Sequence, residues 1–380
     1  MKKAVILSLI LIFSLLSLPA NGQVQNYSET VRGRIIEVNN DSSIEENRKT
    51  YESGVQEIKV RIDQGKFKGE IFNTNHALSG NPARDFYYHK GDRVLIWLES
   101  QNNSVTRVLI REVIRDHYLG YLAIFFILSL LLVGGIKGLK TIITLGITAF
   151  LILKILLPLI LQGYPPIPTT IIVASITVTI SLIIISGFTR KTLAATIGTI
   201  GGVLVAGILA GVMTSLVRLT GLSGDESQML MYIPQRTNFD FQGLLFAGMI
   251  IGSLGAVLDV GMSIASAIDE IKRANPSIST KRLIKAGMNV GRDIMGTMSN
   301  TLILAYTGTS MSLLLVITAY DISFARIINM DSMSTEIVRV LAGSIGLIYA
   351  IPITAVVSGL LYRDINFKTE DNINESKNIN

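Results

Sequence analysis

Seven long apolar runs follow residue 117, and they constrain the fold of this chain more than any other feature of its sequence. A bilayer core about 30 Å thick needs roughly 20 apolar residues per helix, and each run approaches or exceeds that length. Lipid offers the backbone no hydrogen-bond partner, so the runs predict helices. Runs this long and this apolar, in a chain with only 16% charged residues, exclude a wholly soluble protein. The predicted spans are 118–135, 139–161, 168–188, 192–217, 241–263, 294–319 and 338–361.

The first residues have the pattern of an export signal. Lys2 and Lys3 precede an apolar run over 4–18, and small residues flank a cleavage point after Gly22. We predict a signal peptide over 1–22, with an uncleaved N-terminal anchor as the alternative. Both place the segment 23–117 outside the cytoplasm.

Residues 23–117 are polar and alternate with period two, which is typical of strands. About five strands in so short a segment favour a small barrel of the OB type, because closure removes exposed strand edges. The fold class is therefore a membrane all-α bundle of about seven helices over 118–362, preceded by an exported OB-like β-barrel and followed by a polar cytoplasmic tail over 363–380. The expected strands include Val31–Val38, Ile58–Ile62, Phe67–Ile71, Val94–Leu98 and Val105–Val113, with long loops at 39–54 and 73–90.

Basic residues are distributed unequally between alternate loops. If the barrel is outside, thirteen Lys and Arg lie in inward segments and four in outward ones. The positive-inside rule thus agrees with the export signal. We expect the β domain outside and the C-terminus in the cytoplasm. The inward residues are Lys137, Lys140, Arg190, Lys191, Lys272, Arg273, Lys281, Arg282, Lys285, Arg292, Arg363, Lys368 and Lys377; the outward ones are Arg218, Arg236, Arg326 and Arg339.

Small residues recur at helical spacing in the fourth and fifth spans. This spacing lets helix backbones approach closely. It is compatible with a tight static bundle or with a surface along which helices slide. The residues singled out for helix packing are Gly198, Gly202, Gly248, Gly252 and Gly255.

Polar side chains in the fifth and sixth spans form the candidate functional site. Ionisable groups in a membrane segment are costly unless paired or hydrated, so they mark function by default. Two polar stripes flank one loop and either line a hydrated route for an ion or small polar solute, or hold the helices together through an Asp259–Arg292 pair. The stripes are Asp259 and Ser263 on the first helix, and Asn289, Arg292, Asp293, Thr297, Asn300 and Thr301 on the second.

Other chemistries find little support in the sequence. It contains no cysteine, which excludes disulfides and thiolate sites. His76, His89 and His117 lack metal-ligand spacing, and Trp97 is most simply a core residue. Hydrolase and nucleotide-binding motifs are missing, so we expect no enzyme, no cofactor and no metal. Nucleic acid is discounted because no basic and aromatic cluster occurs, and Lys154 is interpreted as a snorkelling residue.

Four segments around the polar site carry a family resemblance. They are GSLGAVLDVGMSIASAI from Gly252, the pair Asn275-Pro276, GMNVGRDIMGTM from Gly287 and NTLILAY from Asn300. Together they resemble the signature block of the YibE/F-like membrane proteins. The match is specific over 248–311 and generic over the rest of 118–362. The resemblance implies a multi-pass bacterial plasma-membrane protein, and it implies no reaction and no site residues.

Two functional hypotheses follow. In the first, the polar site moves or couples an ion or small polar solute. In the second, the protein is a non-transporting scaffold or assembly factor whose β domain binds an envelope or membrane protein. The lipid bilayer is the partner common to both.

Overall fold

The structure is a computed structural model that describes residues 27–40, 53–81, 85–101, 104–232 and 239–363. The predicted signal peptide or anchor lies outside the described residues, as does the predicted tail beyond residue 363. By its internal contacts the chain divides into two compact units, Met1–Phe126 and Ile127–Asn380.

The first unit contains a nearly closed antiparallel barrel of five strands. The sheet order is β3-β2-β1-β4-β5. At the remaining gap, the Thr74 hydroxyl of β3 donates a hydrogen bond of 2.7 Å to the Val108 carbonyl of β5. This architecture confirms the predicted small barrel. The strands are β1 (Tyr27–Asn40), β2 (Ser53–Ile62), β3 (Ile71–Ser79), β4 (Arg93–Gln101) and β5 (Ser104–Val113).

Alternating side chains fill the barrel. Apolar residues two apart on one strand point to the same face, and that face is turned inward. Extra residues in the pairing of β1 and β5 bend those strands, which helps a short sheet to close. The core consists of Val31, Ile35, Ile58, Val60, Ile62, Phe67, Tyr88, Val94, Ile96 and Leu98.

Three predictions within the barrel are wrong. Phe67 lies in the turn between β2 and β3 rather than on a strand, and its ring plugs the core. Ile71 begins β3 and is exposed, so β3 occupies part of the predicted loop 73–90. Trp97 is half-buried on the outer face, where the Arg111 guanidinium lies 5.5 Å from its ring centroid. A period-two sequence pattern identifies a strand but does not show which face of the strand points into the barrel.

The remainder of the described chain is helical. A π-helical turn precedes Pro158, whose ring cannot accommodate the carbonyl of Lys154 four residues earlier in a regular α-helix. The elements are α1 (Asp116–Phe150), the π-helix Leu151–Leu156, α2 (Leu157–Leu161), α3 (Pro166–Ser186), α4 (Arg190–Val217), α5 (Asp225–Leu230), α6 (Phe241–Ala274), α7 (Thr280–Thr309), α8 (Met311–Ala319), α9 (Phe324–Asn329) and α10 (Asp331–Leu361).

The first apolar stretch is two helices joined at a sharp reversal. Asp116–Leu161 covers 46 residues, which as one straight helix would measure about 69 Å, more than twice the bilayer core. Gly135 breaks it with φ 51° and ψ −126°, a conformation open to glycine. A Cβ on Gly138 would overlap the carbonyl oxygen of Leu130, so the chain doubles back.

The count of candidate spans among the described residues is five or six, which roughly fits the seven predicted runs. In the described part of the chain, five helical stretches are long and apolar enough to cross a membrane. A sixth is the pair α7 and α8, bent by 65° at Ser310. Dividing the first stretch at Gly135 gives the seventh.

Helices α4, α6 and α10 form the centre of the second unit. Gly202 of α4 packs so closely that a Cβ there would lie 2.7 Å from the Ala350 methyl carbon and 2.9 Å from Val257. Gly198 likewise faces Thr354 of α10. Small residues therefore set the distance between these helices. The surrounding core includes Ile250, Val257, Ile264, Leu347 and Ile351.

One end of this bundle gathers cations, and we call it the basic end. Lys140 donates a 3.0 Å hydrogen bond to the Ile185 carbonyl at the end of α3. Arg190 donates one of 2.5 Å to the Leu361 carbonyl at the end of α10. Lys272, which is buried, donates one of 2.7 Å to Pro276. These contacts bring basic residues from separate segments of the chain to one end of the bundle.

Barrel stability should depend on pH through His76. This side chain packs edge-on against Tyr88, with ring centroids 4.8 Å apart. Burial lowers the pKa of His76 below its ordinary value. The unfolded chain therefore takes up a proton before the folded barrel does, and the free energy of unfolding falls as the pH drops below about 6.5.

We expect the barrel to lose stability between about pH 7 and pH 5, with His76→Gln reducing that loss. Trp97 is the single tryptophan of the chain and lies in the barrel, so its fluorescence reports barrel unfolding within the full-length protein. An unchanged pH slope in His76→Gln would exclude His76 as the cause.

Gly198 provides a test of the helix contacts. Gly198→Val places its Cβ inside the Thr354 side chain, and overpacking of this kind costs about 1 to 3 kcal/mol. We expect a lower Tm in detergent. Gly146→Val is the matched control because nothing lies within 4 Å of a Cβ there. Equal shifts in both variants would mean that helix propensity alone is responsible.

Candidate functional site

Helix α6 places its two candidate polar residues on an exposed stripe. It starts at Phe241 after Asp240, whose carboxylate accepts a 2.8 Å hydrogen bond from the Gly243 backbone. This N-cap satisfies one of the free amides of the first turn. Asp259 and Ser263 follow about five turns later, one turn apart and both exposed. In the described residues neither makes a hydrogen bond or ion pair within the chain.

The other six candidates lie on the exposed face of α7. The Arg292 guanidinium donates a 3.5 Å hydrogen bond to the Asn289 amide oxygen one turn earlier. Thr297 and Thr301 donate bonds of 2.9 Å to the carbonyls of Ile294 and Thr297. The opposite face of α7 packs through Gly287 and Gly291. The exposed candidates are Asn289, Arg292, Asp293, Thr297, Asn300 and Thr301.

Three contacts fix the antiparallel register of α6 and α7. Gly252 lies against Tyr306, Ile264 against Gly291, and Ile268 against Gly287. Interpolation between these pairs puts Asp259 level with residues 296–299.

The polar residues of the two helices are therefore at matching depths on the surface of a single chain. The carboxylate of Asp259 forms no ion pair with Arg292 among the described residues. A polar pocket enclosed between the helices of one chain is not formed by these residues either, since all eight side chains are exposed.

The glycines singled out for packing fall into two groups. Gly198, Gly202 and Gly252 meet neighbouring helices, with Gly252 facing the Tyr306 hydroxyl. Gly248 and Gly255 face open space, with nothing within 4 Å of a Cβ. Both lie on the exposed stripe of α6 that also carries Asp259.

Sequence spacing missed a polar cluster at the basic end. Tyr362, directly after α10, donates a 2.7 Å hydrogen bond to Asp269 near the end of α6. Arg273 donates to the other carboxylate oxygen of Asp269 at 3.2 Å. Burial raises the pKa of the Tyr362 phenol well above its usual range, and the Asp269 carboxylate adds to the shift. The phenol is therefore a permanent donor that ties α6 to α10.

A second cluster lies beside the bend between α7 and α8. Arg339 and Glu336 of α10 form an ion pair of 2.7 Å, and the Arg339 guanidinium lies 5.8 Å from the Tyr306 ring centroid. Three buried atoms remain without a hydrogen-bond partner in the described chain: Tyr306 Oη, Glu336 Oε2 and Arg339 Nε. A cavity of about 300 Å³ adjoins them.

The signal for this cluster was present in the sequence. Glu336 and Arg339 stand three apart at the head of an apolar run, a spacing that brings side chains together on a helix. Because Arg339 was counted with the outward loops, its pairing with Glu336 was not predicted.

The three histidines lie apart, His76 in β3, His89 in the loop between β3 and β4, and His117 in α1. Among the described residues no group of three or more His, Cys, Asp or Glu is arranged to hold a metal ion. Lys154 is exposed within the π-helical turn.

The barrel and the apolar helices together define a multi-pass membrane protein with an N-terminal β domain. The chain belongs to the YibE/F-like family. Residues 122–364 match the model described as YibE/F-like protein, and residues 26–113 match the YibE/F family N-terminal domain. The resemblance seen in the sequence is thereby confirmed. Neither a curated protein nor a solved structure matches the chain.

Tyr362→Phe should weaken the joint between α6 and α10. It leaves a buried oxygen of Asp269 without its phenol donor, at a cost of about 1 to 3 kcal/mol. We expect a lower Tm in detergent than for wild type. Tyr349→Phe, at an exposed position of α10, should change Tm little. Equal Tm values for the two variants would contradict the assigned role of the phenol.

Proposed function

We propose that the exposed polar faces of α6 and α7 form part of a route or coupling site for an ion or small polar solute across the membrane. The role is non-catalytic: the side chains supply hydration and charge, and no bond is made or broken. The faces are Gly248, Gly252, Gly255, Asp259 and Ser263 on α6, with the six polar residues of α7 already described.

The observation that carries this proposal is the composition of the exposed stripe of α6. Between Phe241 and Ile268 the helix has no charged residue except Asp259. Every stretch of about 20 residues within that run contains Asp259, so any placement across a bilayer core includes it. Beyond Gln242 in the first turn, the exposed residues of this run are glycine, serine and aspartate, with no exposed large apolar side chain. A stripe of this kind suits water or a polar solute.

The break in the sixth span supports the same proposal. Discontinuous membrane helices often form binding sites in transporters, because their ends expose backbone dipoles at membrane depth. Here α7 and α8 meet at a 65° bend. Tyr306 lies one turn before it, beside the Glu336–Arg339 pair.

The proposal includes the expected placement of the protein. The family resemblance implies a bacterial plasma membrane, and the distribution of basic residues favours the β domain outside and the basic end in the cytoplasm. A route along α6 and α7 would then connect the cytoplasm with the compartment that holds the barrel.

The test is flux through proteoliposomes. We expect the protein to admit H⁺, Na⁺ or K⁺, measured by an entrapped pH dye and by radiolabelled cations. Asp259→Asn keeps the side chain nearly isosteric but removes its charge, and it should reduce the flux about tenfold or more, the effect of losing roughly 1.4 kcal/mol or more of ion stabilisation.

Glu270→Gln is the matched control, since Glu270 is an exposed carboxylate of the same helix beyond the apolar run. It should conduct as wild type does. Equal losses in both variants would argue against a specific role for Asp259. Absence of flux in every form, with all three cations, would oppose the proposal for inorganic ions.

A feature of the barrel favours the second candidate function, a scaffold that binds an envelope protein. Its outer surface has a polar groove of about 270 Å³. The groove contains an ion pair of 2.8 Å between Lys59 and Glu37, and Lys59 holds the pKa of that carboxyl below its ordinary value. Under this alternative Lys59→Glu would change the recovery of a partner, while Asp259→Asn would not. The groove is lined by Glu37, Asn39, Glu57, Ile58, Lys59, Asn73, Thr74 and Asn75.

A further inference from the structure

The polar face of α7 and the stripe of α6 are left uncovered by the single chain. Asn300 and Thr301 lie beyond the last charged residue of α7, in the part that continues into the apolar run. Asp259 lies at a matching depth on α6. Hydrocarbon cannot hydrogen-bond to carboxylates or amides, so polar side chains in this region face protein or a water-filled space.

We propose that a second copy of this chain covers these faces, so that the two copies pack with α6 and α7 against α6 and α7. The inference rests on the proposed function in one respect: the route along this face becomes enclosed only when the second copy is present. The interface itself follows from the exposed polar residues, whatever passes along it.

Charge complementarity selects a second copy as the occupant. The face carries one cation, Arg292, and two anions, Asp259 and Asp293, all exposed. A two-fold axis turns the same patch onto itself, so Arg292 of each copy meets carboxylates of the other. Asn289 and Asn300 carry amides, which both donate and accept hydrogen bonds and can therefore pair with their own kind.

The shape of the exposed surface of α6 and α7 also fits a close contact with other helices. Gly248 and Gly255 on α6 and Gly296 on α7 are exposed, and nothing lies within 4 Å of a Cβ on any of them. Glycines at the centre of the bundle meet neighbouring helices instead, as Gly202 meets Ala350. The open glycines provide the space that a second pair of backbones needs to approach.

Single cysteines test the interface directly, because the natural chain has none. Gly255→Cys, Thr297→Cys and Asn300→Cys are each treated in native membranes with a short, membrane-permeant bismaleimide. We expect a product of twice the chain mass that contains only this protein. With one cysteine per chain, such a product joins two copies and cannot be an internal link.

Ile197→Cys is the matched control. Ile197 is exposed on α4, and the contact of Gly261 with Thr199 and Ala195 places it at the depth of the α6 stripe. It should give little dimer. Equal dimer yields at Ile197 and at the three test positions would mean that the cross-links form by random collision of chains in the membrane. That result would overturn the proposal. Cross-linking of the test positions to a different protein would overturn it as well.

Exchanging the charges of Arg292 and Asp293 provides a second, independent test of the interface, which can be used if one cysteine variant folds poorly. Copies with two different affinity tags are co-expressed, and recovery of one tag with the other is measured. R292D paired with R292D, and D293R paired with D293R, should each fall about tenfold below wild type, because like charges meet. The mixed pair of R292D with D293R restores opposite charges and should recover. Failure of the mixed pair to recover, with both chains folded, would oppose the charge pairing.

The two proposals fail separately. Cross-linking and co-recovery need no transported solute, so a dimer without flux supports the interface and removes only the transport function. Flux with the three test positions monomeric would remove the interface and leave the transport function to a single chain.

Discussion

The interior of a bilayer offers no hydrogen-bond partner, and the second unit of this protein depends on that constraint. Backbone groups in lipid must be paired within the chain, which is why the apolar runs fold as helices. Where the chain must turn, it does so at Gly135, whose freedom at positive φ permits a sharp reversal. Side chains obey the same constraint: the threonines of α7 donate to carbonyls of their own helix. Among the described residues Asp259 makes no hydrogen bond or ion pair, and for this reason the proposed function centres on it.

Most of the architecture was predictable because it follows from local sequence patterns. Apolar length identifies membrane helices, and alternation identifies strands. The errors arose where a pattern is ambiguous about direction. Alternation around Trp97 is correct, yet its ring is on the outside because the neighbouring residues Ile96 and Leu98 fill the core. Phe67 and Ile71 have the spacing of a strand, although Phe67 lies in a turn and Ile71 begins the next strand.

The candidate site was predictable only in part, for a physical reason. Helical spacing shows which side chains share a face, and the polar residues of α6 and α7 that it groups are all exposed. It does not show what that face meets, since this depends on the packing of every other helix. Spacing along the sequence cannot predict contacts between distant segments. Tyr362 and Asp269 are 93 positions apart, and Tyr306 of α7 contacts Arg339 of α10 beside the bend between α7 and α8.

The basic end has a consequence for how this protein meets the membrane surface. Lys140, Arg190 and Lys272 donate to backbone carbonyls, so they complement the negative ends of helices and are partly withdrawn from the surrounding ions. By contrast, Lys281, Arg282 and Lys285 are exposed along the first turns of α7. Where this end meets anionic headgroups, the segment would be attracted to them. That attraction would hold the start of the helix that carries most of the polar face.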